Sequence, residues 1–295
     1  MVTTVKQVAI IGPTASGKSE LAMQVAKQCQ GEIICADSRT IYRGMDIGTA
    51  KPTIDDQAKV PHHCLDLLEP SQPYSAGQFK RDASEAIGSI KSRRKTPVIA
   101  GGSGLYVYGL VYDYRFPAGA DNTLRHQLDQ LSLSELQDRL KQLDEQTYSE
   151  IDTNNPRRLI RAIETAGKPK LKNQKLPSDT LLIGVFPGFT ELTQRINKRT
   201  EAMIRAGLVD EVGKLIDKHS SKAEPLQTIG YKEVAGYLDG KTSLDQMSEL
   251  ISLHTFQLAK RQMTWFKRNK EILWFDTTNQ ALEYIVKNLP FHTHK

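Results

Sequence analysis

Cysteine is scarce in this chain of 295 residues, which has only Cys29, Cys35 and Cys64. The number is odd and no two of them form a C-x-x-C pair, so neither a disulfide framework nor a zinc knuckle is signalled and buried thiols are expected. His62-His63-Cys64 places three ligand types together, but adjacent residues lack the spacing of a zinc site and a loop-packing role is expected there. Long apolar runs are missing as well. No stretch reaches the ~18 residues of a membrane-spanning helix, which argues against a membrane partner. Met1 to Ile11 has neither a charged leader nor a small-residue cleavage site, and reads as a strand in a cytoplasmic protein. With 39% hydrophobic and 25% charged residues, a disordered, collagenous or coiled-coil chain is excluded.

What remains is a globular chain with about two domains' worth of residues, or one enlarged α/β domain. Its net charge of +6 is modest, and its distribution says more. Between Arg157 and Lys175 lie seven basic residues (Arg157, Arg158, Arg161, Lys168, Lys170, Lys172 and Lys175) and one acid, Glu164. Between Lys260 and Lys270 lie five (Lys260, Arg261, Lys267, Arg268 and Lys270) and no acid. Such runs are the electrostatic footprint of a polyanion partner, with a solvated basic face as the alternative.

Apolar residues at Val8 to Ile11 predict a first strand, and Leu21, Val25 and Cys29 a helix that Gly31 stops. A second strand is expected at Glu32 to Ala36. Phe79, Ala83, Ile87 and Ile90 mark another helix, and Val98 to Ala100 a third strand ending in Gly101-Gly102-Ser103-Gly104. Strand alternating with helix predicts a parallel sheet covered on both faces. From Asp121 to Gly167 only helical periodicity appears, with a capping box at Ser132 to Glu135 and a helix opened by Asn155-Pro156. Strand character returns at Leu181 to Phe186. A second capping box, Ser243 to Gln246, heads a long helix, and a late strand is expected at Ile272 to Phe275. The predicted organisation is a core in two parts, 1–114 and 180–295, interrupted by a helical insertion at 115–179, with hinges at Phe116 to Ala120 and Lys168 to Pro177.

The strongest chemical signal is Gly12-Pro13-Thr14-Ala15-Ser16-Gly17-Lys18-Ser19, which matches G-x-x-x-x-G-K-[ST] between a predicted strand and a predicted helix. Its backbone amides and the helix amino terminus cradle a phosphate, Lys18 supplies a point charge, and the Ser19 hydroxyl is a Mg²⁺ ligand. The motif specifies a diphosphate or a triphosphate and leaves open what is attached. Asp37 follows the second strand, at the carboxyl edge where open α/β sheets bind ligands. A carboxylate there holds a metal, takes a proton, or merely caps a helix. Ser103 offers a hydroxyl to the same cleft. Arg157, Arg158 and Arg161 are predicted to share one helix face, opposite Leu159, Ala162, Ile163 and Ala166, which suits phosphate contacts. Trp265 and Phe266 beside Arg261, Lys267 and Arg268 suit base stacking, and Met263, Trp265 and Phe266 equally suit a core.

The string Asp37-Ser38-Arg39-Thr40-Ile41-Tyr42-Arg43-Gly44-Met45-Asp46-Ile47-Gly48-Thr49-Ala50-Lys51-Pro52 after this loop resembles the bacterial tRNA dimethylallyltransferases, or tRNA isopentenyltransferases, of the IPP transferase family. The likeness continues in Pro73 to Ala76, Gly101 to Tyr106, Asn155 to Arg158, Ile229 to Glu233 and Ala259 to Phe266. It implies a P-loop NTPase-like parallel core with an inserted all-helical domain. The implied reaction moves a dimethylallyl group from dimethylallyl diphosphate to N6 of the adenosine just 3′ of the anticodon in tRNA, with Mg²⁺ as cofactor. By the same resemblance, Asp37, Ser103 and Lys18 are catalytic, Gly12 to Ser19 bind the diphosphate, and Ser19 holds the metal. Asp37, Ser38, Arg39, Thr40, Arg157, Arg158, Arg161, Lys260 and Arg261 face the anticodon stem-loop of tRNA, and a monomer is expected. Ser103 stands where Thr is commoner, Thr40 where Gln is, and Gln227 where some relatives place an Arg that assists the diphosphate. Rival readings of the loop alone are a small-molecule kinase, an adenylate prenyltransferase or an RNA-binding NTPase module. The first two give no reason for the basic run from Arg157 to Lys175.

Overall fold

The structure, a computed structural model, describes residues 5–116, 122–166 and 175–289. Most of the two expected hinges lies outside those residues, as do Lys168, Lys170 and Lys172 of the first basic run. Six parallel strands form one sheet: β1 (Gln7–Ile11), β2 (Glu32–Cys35), β3 (His62–His63), β4 (Pro97–Gly101), β5 (Thr180–Val185) and β6 (Leu273–Phe275), in the order β3-β2-β4-β1-β5-β6. The helices are α1 (Lys18–Gln28), α2 (Ile54–Lys59), α3 (Ala76–Ser92), α4 (Gly104–Val111), α5 (Asn122–Asp129), α6 (Leu133–Leu143), α7 (Glu145–Glu150), α8 (Pro156–Thr165), α9 (Phe189–Arg205), α10 (Leu208–His219), α11 (Tyr231–Leu238), α12 (Leu244–Phe266) and α13 (Thr278–Asn288). This is a P-loop NTPase-like α/β fold carrying an all-helical insertion.

β1 is central because both of its faces are apolar. Val8 and Ile10 pack with Leu21 and Val25 of α1 and Ala281 and Ile285 of α13. Ala9 and Ile11 turn the other way, against Phe79 and Ala83 of α3 and Val107 of α4. Alternate residues of one strand thus serve both layers, as a strand covered on two sides requires. Both expected capping boxes are formed: Ser132 N–H donates to Glu135 Oε2 at 2.7 Å and Ser243 N–H to Gln246 Oε1 at 2.9 Å. Each satisfies amides that the first turn leaves unpaired.

The segment between β2 and α3 holds regular structure of its own. It contains α2, capped by Thr53 and Asp56, and the two-residue β3. Hence His62 and His63 are strand residues and not loop packing: they pair in register with Ile33 and Ile34, and His63 Nε2 lies 2.7 Å from Glu32 Oε2. Two residues are too few for any period to show. The residues after β2 are held from afar. Ile41, Tyr42 and Met45 pack with Leu208, Val212, Tyr231 and Met247. Glu211 of α10 accepts hydrogen bonds from the amides of Asp46, Ile47 and Gly48 at 3.0, 2.7 and 3.1 Å.

The chain divides into two compact units, Met1–Tyr114 with Gln174–Lys295, and Arg115–Asn173. The smaller unit builds its own core from Leu128, Leu136, Leu140, Leu159, Ile160 and Ile163. The apolar face of α8 therefore centres on Ile160, which the predicted face omitted, while Ala162 and Ala166 are only part-buried. The reason is geometric: Ile160 adjoins Leu159 and sits one turn before Ile163.

Candidate active site

At the carboxyl end of β1 the chain folds into a compact loop. Gly17, at φ 93°, precedes α1 and adopts the left-handed conformation that frees the helix amino terminus. Lys18 turns back over the loop and its Nζ donates to Pro13 O at 3.1 Å. Burial lowers the Lys18 ammonium to about 8; Asp37 opposes that shift and Arg199 adds to it. Such a depressed ammonium is a buried cation only partly balanced by Asp37, the state expected of a phosphate receptor.

β2 and β4 end beside the loop and bring two further groups. Asp37 Oδ1 accepts the Arg39 amide at 2.8 Å, and Ser103 Oγ accepts the Ser38 amide at 3.2 Å. Together with the loop these residues line a cavity of about 460 Å³. Thr14, Lys18, Ser19, Asp37, Ser38, Arg39, Thr40 and Ser103 share its wall. Gly12, Pro13, Ala15, Ser16 and Gly17 shape the loop behind that wall.

Several predicted contacts are differently engaged. Arg39 makes a two-pronged salt bridge to Glu224 at 2.8 and 3.2 Å. Arg161 pairs with Glu164 at 3.2 Å, and Arg125 reaches the same buried carboxylate at 2.9 Å. Part of the charge on α8 therefore also serves an internal acid, so the salt-bridge role that the sequence reading ranks below phosphate contact is present at Arg161. Arg157 and Arg158 are exposed, Arg158 lying 3.9 Å from Asp152. On α12, Lys260 and Arg261 are exposed, and the Lys260 ammonium rests 4.8 Å from the centre of the Phe256 ring. The aromatic alternatives divide: Met263 and Phe266 are core, whereas Trp265 is 39% exposed. Gln227 lines the cavity, but its amide is engaged with Ser221 O.

Two residues of the cavity had no assigned role. Arg199 of α9 brings a guanidinium to the same wall, its pKa lowered by burial and sustained by Asp37. A cation is thus present although position 227 supplies none. Gln262 of α12 bonds to Thr14 and Gly102. Arg199 sits in a polar helix with no motif around it, so nothing local marks it. Gln262 lies within the recognisable Ala259 to Phe266 string, yet only the folded chain shows what it touches.

A family profile described as IPP transferase matches residues 40–269. The chain belongs to the IPP transferase family. Among relatives in this family is a tRNA dimethylallyltransferase of Geobacillus thermodenitrificans, 42% identical over 94% of this chain and 92% of its own length. Another, from Staphylococcus saprophyticus, is 38% identical over 98% of this chain and 96% of its own. The crystal structure of the tRNA isopentenylpyrophosphate transferase of Bacillus halodurans superposes with a TM-score of 0.72 at 36% identity, covering 96% of both chains. A eukaryotic dimethylallyltransferase acting on tRNA, at 24% identity and a TM-score of 0.83 over 99% of this chain and 82% of that one, shares the fold. Among the described residues no helix is long and apolar enough to cross a membrane.

Proposed function

We propose that this chain transfers the dimethylallyl group of dimethylallyl diphosphate to N6 of the adenosine 3′ of the anticodon in tRNA. One observation carries the reading: the phosphate loop with Lys18 and the Asp37 carboxylate share the wall of one cavity. An exocyclic amine is a weak nucleophile, and diphosphate leaves readily only when its charge is met. The proposed step joins N6 to the allylic carbon as the carbon–oxygen bond to diphosphate breaks. The bonding pair leaves with diphosphate, and the N6 proton passes to Asp37. Lys18, Arg199 and the loop amides hold the diphosphate, and Ser103 fixes the backbone beside Asp37 through Ser38.

The residues also suit a divalent ion. The Ser19 hydroxyl and the Asp37 carboxylate line the same space, and Mg²⁺ is commonly held by one or two carboxylates, substrate phosphate oxygens and water. Ser19 would ligate it, and the bound ion would neutralise charge on the diphosphate. The target base must leave its stack to reach the cavity. The anticodon stem-loop is the proposed RNA partner, with Ser38, Arg39, Thr40, Arg157, Arg158, Lys260 and Arg261 as its contacts. A single chain supplies every group invoked.

The test is the mass of the RNA product. A stem-loop with adenosine 3′ of the anticodon, incubated with dimethylallyl diphosphate and Mg²⁺, should gain one dimethylallyl group in place of one hydrogen. AMP should remain unchanged. Prenylated AMP beside untouched RNA would overturn the choice of acceptor.

A further inference from the structure

The Gln262 carboxamide uses both of its ends. Its oxygen accepts the Thr14 amide at 2.9 Å, and its nitrogen donates to Gly102 O at 3.0 Å. The two partners lie on separate strand-end loops, one after β1 and one after β4. Gly102 is followed by Ser103, whose hydroxyl accepts the Ser38 amide next to Asp37. One side chain thus links the phosphate loop to the turn that supports the carboxylate. The fit is close: a Cβ on Gly102 would stand 2.6 Å from Gln262 Nε2. One turn further along α12, Trp265 covers Gly104, where a Cβ would run into the indole. Two residues of α12 three apart therefore clasp the same glycine turn, and the exposed Lys260 and Arg261 lie on that helix beside them.

We infer that Gln262 is a positioning residue for the transfer, holding the Thr14 limb of the phosphate loop in register with the Ser103–Asp37 side of the cavity. It acts through these loops and needs no contact with either substrate. The inference rests on the prenyl-transfer reading. A carboxamide is suited to the task because it offers an acceptor and a donor at opposite corners of one plane. Methionine fills nearly the same volume and offers neither. A glutamate keeps the acceptor, and regains the donor only when protonated.

Gln262→Met and Gln262→Glu are compared with the wild type in turnover, in KM for RNA and in affinity for inorganic diphosphate. Loss of one bridging hydrogen-bond pair should lower kcat of Gln262→Met about tenfold. Both binding parameters should stay within about twofold. The kcat ratio of Gln262→Glu to wild type should rise as pH falls, because protonation restores the donor to Gly102 O. Ionisations common to both enzymes cancel in that ratio. An unchanged kcat in Gln262→Met, or a loss shared equally by kcat, RNA binding and diphosphate binding, would overturn the inference. Should Gln262→Met fail to fold, a flat Glu-to-wild-type ratio would overturn it alone. In either case a wild type that prenylates RNA leaves the proposed function standing, whereas an inactive wild type removes both.

Discussion

Lys18 makes the free enzyme's grip on diphosphate depend on pH near neutrality. Its ammonium is lowered from 10.5 to about 8 by burial, with Arg199 adding to the shift and Asp37 opposing it. In the free chain, then, roughly nine in ten Lys18 side chains are charged at pH 7 and one in ten at pH 9. A bound diphosphate places negative charge against the ammonium and restores its proton affinity. Linkage sets the size of the effect: affinity should fall ~10-fold from pH 7 to pH 9, with about half a proton taken up per ligand at pH 8. The donor's terminal phosphate, with a second pKa near ~6, is already ionised across this window and contributes little. Calorimetry of dimethylallyl diphosphate binding in two buffers of different ionisation enthalpy measures both quantities, and Lys18→Met should flatten them. The stability sign is the reverse of a salt bridge. A lysine whose folded pKa lies below its unfolded value is most favourable above pH 10.5, and that advantage is lost as pH falls through 8. Lys18→Met should therefore raise the stability of the free chain at pH 7, by at most about 3 kcal/mol, and leave it unchanged near pH 11. Affinity constant from pH 7 to 9 with no proton uptake would refute the argument.

Two substitutions separate chemistry from binding. Asp37→Asn should lower kcat by the ~10²- to 10⁴-fold of a lost general base while RNA affinity, measured by filter binding, stays near that of the parent; unaltered turnover would remove Asp37 from proton transfer. On α8, Arg158→Ala should weaken RNA binding and reduce its salt slope with little change in the thermal midpoint, because its pair with Asp152 is long and exposed. Arg161→Ala should lower that midpoint, because Glu164 is left buried with Arg125 alone; equal midpoints for both variants would refute the internal role of Arg161.

How much of this was legible beforehand depended on whether a local pattern caused it. The phosphate loop needs glycine at fixed offsets between strand and helix, and its conformation follows from nearby residues. Asp37 was placed by the end of a short apolar strand. The four principal strands of the sheet were found to within a residue or two because they are apolar on both faces. Other features depend on partners far along the chain. Arg161 looked like one of three equivalent cations because Arg125, which shares its acid, lies 36 positions earlier. Arg199 enters the cavity because Leu192 and Ile196 turn α9 against Ala259 of α12, and its neighbours in sequence show no sign of this. β3 escaped notice because it exists only as an addition to β2.

The carboxylate of Glu211 has a consequence for how the enzyme matures. It ties down three successive amides of the segment leading away from Asp37, and it arrives more than 160 residues after them. On the ribosome, a nascent chain already displaying the whole phosphate loop still lacks the clamp for its acceptor side. The acceptor side of the cleft is thus completed only after α10 has been made.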